Sequence, residues 1–314
     1  AYEILIGLVG AEMCIRDSYW GVQLARSVAQ LRESRLADEE AQVARAKRFE
    51  AKGLISKLER MSVEVSRDTA KREATAAETS ARVAEAELMA ELREKTLPEL
   101  STPLFVLTGD LGTLSGWQKK ARLNSPLLRK TDAQIQQAQE GVRAAKGNFH
   151  PQVFAFGMKN LVKHYLTPVE PDWMAGIGVK FTLWDNKDRM SDISAAKSLV
   201  TKATAAREET DNKLMSAVEV AFLRTTEARE EYDLTVSTVA LAAENLRLRE
   251  KSFSEGLSTA LDVREARTQL TGAEIAQRAA AYKFVVSWAM LHASSGAMPE
   301  FSDSLKRADL TAVK

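Results

Sequence analysis

The 314-residue chain has one cysteine, Cys14, and three histidines, His150, His164 and His292, none of them at ligand-like spacing. That scarcity removes disulfide frameworks, Cys-His nucleophiles and most metal sites, so neither a hydrolase nor a metalloenzyme is expected, and no cofactor. Charge of one sign is lacking too: 44 Lys and Arg stand against 43 Asp and Glu. The balance excludes a polyanion binder, and nucleic acid with it. No run of about 18 uninterrupted apolar residues occurs, so no transmembrane helix is expected and a membrane role has to run through β-strands. Proline is confined to positions 98, 103, 126, 151, 168, 171 and 299, and only 20 residues are aromatic, whereas 47 are alanine. That is the composition of long helices.

Residues 8–18, Leu-Val-Gly-Ala-Glu-Met-Cys-Ile-Arg-Asp-Ser, resemble the translated end of a transposon adapter used to prepare sequencing libraries. Residues 1–18 are therefore set aside as an expected artefact, together with the apolar run Ile4 to Val9 that otherwise resembles a signal-peptide core. On that reading the natural N-terminus is missing.

From Tyr19 to Leu97 there is no Pro, and after Gly21 the sole Gly is Gly53. The pattern predicts a first helical hairpin over 19–97 turning near Gly53-Leu54-Ile55-Ser56. Beyond the turn, Leu54, Leu58, Met61 and Val65, then Ala70, Ala74, Ala77, Ala81, Ala84 and Leu88, step by fours and threes, the mark of a heptad seam. Small seam residues let helices approach closely, which suits a sheath of helices packed side by side better than a thick globular core. Residues 98–125, with Pro98, Pro103, Gly109, Gly112 and Gly116, read as an irregular connection. Asn124-Ser125-Pro126 reads as a helix start, a polar cap followed by Pro in the first turn, for a helix over 126–150.

At 151–185 the period changes from helical to two, which predicts a β-hairpin. Trp173, Ala175, Ile177, Val179, Phe181 and Leu183 share one face of a strand from Trp173 to Trp184, and twelve residues is about the length of a tilted membrane-spanning strand. Trp173 and Trp184 sit at its two ends, as aromatic-girdle residues do, but on opposite faces, so both cannot meet lipid. Gly176-Ile177-Gly178 is not a phosphate loop, because it lies inside an alternating strand.

A second hairpin is predicted over 186–296, with a C-terminal tail over 297–314. Residues 188–255 contain neither Pro nor Gly and hold heptad spacing from Leu214 through Ala221, Ala228, Tyr232 and Val239 to Leu246. A single helix there would reach about 100 Å, against about 50 Å across for a compact globule of this chain length. The turn falls at Gly256-Leu257-Ser258, and a return helix carries Val263, Ala266, Leu270, Ala273, Ala280, Phe284, Trp288 and Leu291 to a cap at Gly296. Laying Gly53 on Gly256, an offset of 203, puts Leu54 on Leu257, Leu58 on Leu261 and Glu59 on Asp262. The same offset sends the first-half counterpart of the β-hairpin to negative residue numbers, outside this chain.

From about Tyr19 to Gly296 the chain resembles the TolC-like outer-membrane efflux proteins. The resemblance is carried by Asn124-Ser125-Pro126 leading into Gln139 to Pro151, by Phe181-Thr182-Leu183-Trp184-Asp185, and by Gly256-Leu257-Ser258 with Leu261-Asp262-Val263 and the Gly296 end. It implies a mainly α fold: long antiparallel hairpins forming part of a trimeric α-helical barrel, plus strands of a transmembrane β-barrel. It implies an outer-membrane and periplasmic location, a homotrimer in outer-membrane lipid, a periplasmic adaptor (membrane fusion protein) and an inner-membrane transporter. The function implied is a passive duct for efflux or type I secretion, and not an enzyme. Adaptor docking falls on the turns, Gly53, Leu54 and Ser56, and Gly256, Leu257 and Ser258. A Gly permits the reversal, an exposed Leu offers apolar contact, and a hydroxyl bonds backbone or partner. The plainer reading, a turn-forming Gly and a Leu folded back on its own helix, stands beside it.

Asp262 and Glu265 match positions where some family members ring the tunnel entrance with carboxylates, and Glu59 adds a third per protomer. Such a ring would attract cations, and like-charge crowding would raise some of its pKa values. A solvated helix face is the alternative. The membrane strand is expected to show Trp173, Ile177, Val179, Phe181 and Leu183 on one face. The competing function is a soluble coiled-coil scaffold, and the alternating strand separates the two, since a cytosolic scaffold has little reason for it. Two strands per chain make six in a trimer, too few for a barrel of the family's kind, so no sealed pore is expected from these 314 residues alone.

Overall fold

A computed structural model describes residues 2–159, 173–181 and 189–313, and their side chains from Asp17 onward. The elements in chain order are α1 (Tyr2–Ala51), α2 (Lys57–Leu92), β1 (Leu104–Leu107), α3 (Leu114–Asn124), α4 (Pro126–Gly147), β2 (Gln152–Lys159), β3 (Trp173–Lys180), α5 (Arg189–Ser254), α6 (Ala260–Ser294), α7 (Met298–Ser304) and β4 (Leu310–Val313). They fall into two compact units, residues 1–124 with 215–314, and residues 125–214. Among the described residues no helix is long and apolar enough to cross a membrane.

In the first unit α1 and α2 form the expected hairpin. The backbone of residues 2–18 continues α1 without a break at Tyr19. The Ala seam of α2 packs as its spacing predicts, with Ala70, Ala81 and Leu88 buried and Ala74, Ala77 and Ala84 half-buried. Toward the turn the seam departs from expectation: Leu58, Met61 and Val65 are exposed, Leu58 at 77%. The interior of that region is ionic instead. Arg35 of α1, 9% exposed, pairs with Glu73 of α2 at 3.0 Å and donates to the Thr268 hydroxyl of α6 at 3.1 Å. Glu39 is buried beside Arg35, Arg264 and Arg267, and burial pushes its carboxyl above the usual range despite those cations. Arg264 donates to Ser62 at 3.2 Å and to Ser66 at 2.8 Å, fastening α6 to α2.

The second hairpin follows the same plan. α5 is a single helix of 66 residues, about 100 Å at 1.5 Å per residue. Its buried positions Ala221, Ala228 and Tyr232 lie on the predicted seam, as do Ala266, Ala273, Ala280, Phe284, Trp288 and Leu291 of α6. The 203-residue repeat extends well beyond the turns. Leu88 and Leu291 are both fully buried, and α2 and α6 end alike, with Arg93 at φ 56° and Gly296 at φ 66°. Each end is closed by the same pair of backbone bonds: Arg93 N–H to Ala90 O and Glu94 N–H to Met89 O, then Gly296 N–H to Ala293 O and Ala297 N–H to His292 O.

The connection expected to be irregular at 98–125, and the tail expected at 297–314, are ordered against each other. β1 pairs antiparallel with β4, Leu104 opposite Val313 and Leu107 opposite Leu310. β1 is buried at all four positions, so it shows no polar–apolar alternation, and its partner comes from the other end of the chain; neither fact is readable locally. Around it lies the aromatic core. Phe105 contacts Trp20, Phe284 and Phe301, and Trp117 of α3 packs edge-on against Trp288 and His292.

In the second unit Ser125 caps α4, its hydroxyl accepting from Leu128 N–H at 3.3 Å, with Pro126 in the first turn as expected. Arg207 of α5 pairs with Asp132 of α4 at 2.9 Å. β2 and β3 form the predicted antiparallel hairpin, Val153 opposite Val179 and Lys159 opposite Trp173. Both faces are apolar. Val153, Ala155, Ala175, Ile177 and Val179 take one, and Phe154, Phe156, Met158 and Met174 the other. The rings of Phe154 and Phe156 lie over Gly178 and Gly176, filling the space a side chain would take. β3 ends at Lys180 and not at Trp184; Phe181 follows it, and Leu183, Trp184 and the link at 160–172 lie outside the described residues. β1 and β4 belong to the first unit's core and add no exposed strand to this pair.

Candidate functional site

The two hairpin turns are built from the same local chemistry. After α1, Gly53 N–H donates to Glu50 O at 2.8 Å and Leu54 N–H to Phe49 O at 2.9 Å; after α5, Gly256 N–H donates to Phe253 O at 3.1 Å and Leu257 N–H to Ser252 O at 2.9 Å. This double bond pattern requires a left-handed residue at the reversal, and Gly53 and Gly256 supply it at φ 70° and 76°. In such a turn the residue after the Gly commonly folds onto the helix three residues before its end. Leu257 does not: that position holds Ser252, and Leu257 is 79% exposed. Leu54, with Phe49 at the matching place, is still 66% exposed.

Each turn then opens the return helix with a reciprocal cap. Ser56 accepts from Glu59 N–H at 3.2 Å, while the Glu59 carboxylate accepts from Ser56 N–H at 2.7 Å and from the Ser56 hydroxyl at 2.9 Å. Thr259 accepts from Asp262 N–H at 3.2 Å. The Asp262 carboxylate accepts from Thr259 N–H at 2.8 Å and from the hydroxyls of Thr259 and Ser258 at 2.7 and 3.0 Å. These are capping boxes.

The boxes set the electrostatics of the expected carboxylates. The Ser56 amide, then its hydroxyl, hold the Glu59 carboxyl below its ordinary value, and the Thr259 amide with the Thr259 and Ser258 hydroxyls do the same for Asp262. Upward shifts belong to a ring of several copies; within one chain the direction is downward. Glu265 is exposed on α6, one turn beyond Asp262. The hydroxyls of Ser56 and Ser258, expected to bond to backbone or to a partner, are both engaged within their own turns, and the leucines are the apolar side chains the turns expose. Leu58 and Leu261, one turn further along each return helix, extend that apolar surface.

On the strands, Trp173, Ile177 and Val179 share one exposed face, with Phe181 exposed just past the end of β3; Leu183 lies outside the described residues. Sequence reading missed Thr259 as the cap of α6, the Arg35–Glu39–Arg264–Arg267 group and the β1–β4 pair. The Ser-x-x-Glu and Thr-x-x-Asp spacings were the available signal for the caps. The ionic group had none, since its members come from α1 and α6, more than 200 residues apart in the chain. Among the described residues no group of three or more His, Cys, Asp or Glu is placed to hold a metal ion.

Comparison with known proteins places this architecture. Solved structures share the fold over 92% of the chain at low identity. A membrane protein from Pseudomonas aeruginosa matches at 17% identity and TM-score 0.72 over 68% of its own length. The outer membrane protein VceC from Vibrio cholerae matches at 16% and 0.69 over 71%. The open-state outer membrane channel MtrE from Neisseria gonorrhoeae matches at 18% and 0.71 over 66%. The chain thus spans about two thirds of the length of these proteins. No curated protein matches it in sequence. The model of the outer membrane efflux protein family matches residues 117–297, which run from α3 through both strands of the hairpin and the second turn to the Gly296 cap. That match covers more than half of the chain and takes in the second of the two turns and the β2–β3 pair, so the chain belongs to the outer membrane efflux protein family.

Proposed function

We propose that the chain is part of a homotrimeric export duct. Its helical hairpins reach into the periplasm, its β2–β3 pair joins a transmembrane β-barrel in the outer membrane, and it works with a periplasmic adaptor and an inner-membrane transporter. The observation that carries this reading is the β2–β3 pair. Val153, Phe154, Phe156, Ile177 and Val179 all face solvent in the isolated chain, and apolar surface left in water forfeits about 25 cal/mol per Å². A barrel wall covers one face with lipid and encloses the other, whereas a soluble coiled-coil scaffold leaves both uncovered.

Within that duct the turns are the adaptor-docking tips. Leu54 and Leu257 present the apolar contact, Gly53 and Gly256 make the reversal, and Ser56 and Ser258 stiffen it from inside. Asp262, Glu265 and Glu59 line the tunnel entrance, where three copies gather nine carboxylates that favour cations. Cargo is chosen by the transporter, as the family resemblance implies.

Photo-crosslinking tests the docking. A benzophenone side chain placed at Leu257 or Leu54 in the complete gene product, in cells that carry the cognate adaptor, is expected to crosslink to the adaptor, while one at exposed Ser237 in mid-α5 is not. Equal crosslinking at all three positions, or none at the leucines, overturns the assignment. Recovery of the complete product from the inner-membrane or soluble fraction overturns the duct itself.

A further inference from the structure

The first unit contains a cleft of about 470 Å³ between α3 and the α6–α7 corner, some 40 Å along α6 from the Gly256 turn. Its floor is aromatic: Trp117 and Trp288 meet edge to face at 5.5 Å, and Trp117 is fixed by its indole N–H donating to Leu111 O at 2.8 Å. Its rim is acidic, with Asp110, Glu300 and Asp303 all lining the opening.

Two cations line the rim, both engaged, and Lys306 pairs loosely with Asp303 from outside the lining at 3.6 Å, with both side chains largely in solvent. Arg307 is held by the Asp309 carboxylate at 2.7 Å. Lys120 places its ammonium 2.6 Å from Glu300 and 4.9 Å from the centre of the Trp117 ring. An ammonium between an indole face and a carboxylate is the arrangement by which proteins recognise organic cations. Lys120 is half-exposed on a flexible four-carbon stem, so it is a displaceable occupant of that corner. Three carboxylates at the rim disfavour anions, and a neutral ligand offers no positive charge to take the place of the Lys120 ammonium beside Glu300.

We propose that this cleft is a binding site for a small organic cation, an alkyl- or arylammonium, whose charged head takes the place of the Lys120 ammonium between Trp117 and Glu300. The apolar part of such a ligand lies against Trp288, and Asp303 adds attraction at the mouth. The site is separate from the hairpin turns and does not depend on how they dock.

The probe is benzyltrimethylammonium, titrated into the 314-residue chain by calorimetry, with quenching of tryptophan fluorescence as a second readout. Benzyl alcohol and benzenesulfonate are the neutral and anionic controls. Saturable one-site binding of the cation is expected, with both controls weaker by at least about tenfold. Lys120→Met removes the built-in competitor and is expected to tighten binding by about three- to fivefold, the size of an exposed cation–π contact. Asp303→Asn is expected to weaken it. Both side chains are solvent-facing, so neither change threatens the fold. Equal binding of cation and alcohol, an unchanged affinity in Lys120→Met, or no saturable binding of the cation overturns the proposal.

Discussion

Gly296, which closes α6, lies against Asn124, which ends α3: a Cβ on Gly296 would stand 2.8 Å from the Asn124 Cβ and 3.4 Å from its carbonyl carbon. Two motifs far apart in the sequence, the Gly296 end and Asn124-Ser125-Pro126, thus meet at one point. Gly296 is also at φ 66°. Gly296→Ala is therefore expected to destabilise through both backbone strain and overlap with α3. At Gly53 and Gly256 no atom lies within 4 Å of the added carbon, so alanine there is expected to cost only the left-handed strain, about 1–2 kcal/mol. Urea denaturation of the three variants checks the order, with Gly296→Ala unfolding first.

Ser56→Ala and Thr259→Ala each remove one half of a capping box and are expected to cost about 1 kcal/mol, read as faster hydrogen exchange in the first turn of α2 or α6 respectively. The acidic partners add a pH dependence. Because the folded values for Glu59 and Asp262 lie below their ordinary 4.5 and 3.8, the stabilisation is present above those values and is lost as pH falls below them. Protection of both first turns is expected to decline together on acidification, and to be flat with pH in the Glu59→Gln, Asp262→Asn double variant.

Asp309 ties the β4 end of the chain to the segment after β1. Its carboxylate accepts from Arg307 and, at 2.9 Å, from Gly109 N–H, and the Arg307 guanidinium above all lowers its pKa to about 2. The folded value lies below the unfolded one of 3.8, so the contribution is complete above about pH 4 and disappears as pH falls toward 2. Asp309→Asn is expected to loosen the β1–β4 pair at pH 7, seen as exchange of the Thr108 amide, and to match the parent near pH 2. A Cβ on Gly109 would overlap the Asp309 Oδ2, so Gly109→Ala is expected to produce the same loosening by steric means at any pH.

The ionic group between the hairpins carries opposite expectations for its two signs. Arg35→Ala leaves Glu39 buried with less compensation and deprives half-exposed Glu73 of a partner, a loss of roughly 2 kcal/mol once solvent screening at Glu73 is allowed for. Glu39 has a folded pKa raised by desolvation, so its charge carries a penalty above that pKa, and the penalty is relieved as pH falls through it. Glu39→Gln is expected to be slightly more stable than the parent at pH 7 and equal to it below about pH 4. Thermal melts at both pH values decide it, and a less stable Glu39→Gln at pH 7 contradicts the desolvation account.

The helical hairpins, their turns and the β2–β3 pair were legible because each is written in local spacing. Ala70, Ala77 and Ala81 recur with the helix, Ile177 and Val179 alternate with the strand, and Gly53 and Gly256 stand where only Gly makes the turn without strain. The repeat between them predicted equivalent turns, and the equivalence reaches to the bonds of each cap. Leu58, Met61 and Val65 show the limit of that logic: they hold seam spacing, yet they stay exposed among the described residues, because periodicity reports which residues share a face and not whether a partner lies on it.

The sequence by itself determined the family, the long helices, the reversal points and the exposed strand pair, since these depend on residues within one or two turns of each other. Only the tertiary structure decided that Ser56, Glu59, Thr259 and Asp262 close caps, that Arg35 and Glu39 are buried between three helices, that β1 finds β4, and that Lys120 stands between Trp117 and Glu300. Each of these joins groups whose pairing is set by burial and three-dimensional packing, or, in the caps, by a backbone geometry that spacing permits without requiring it.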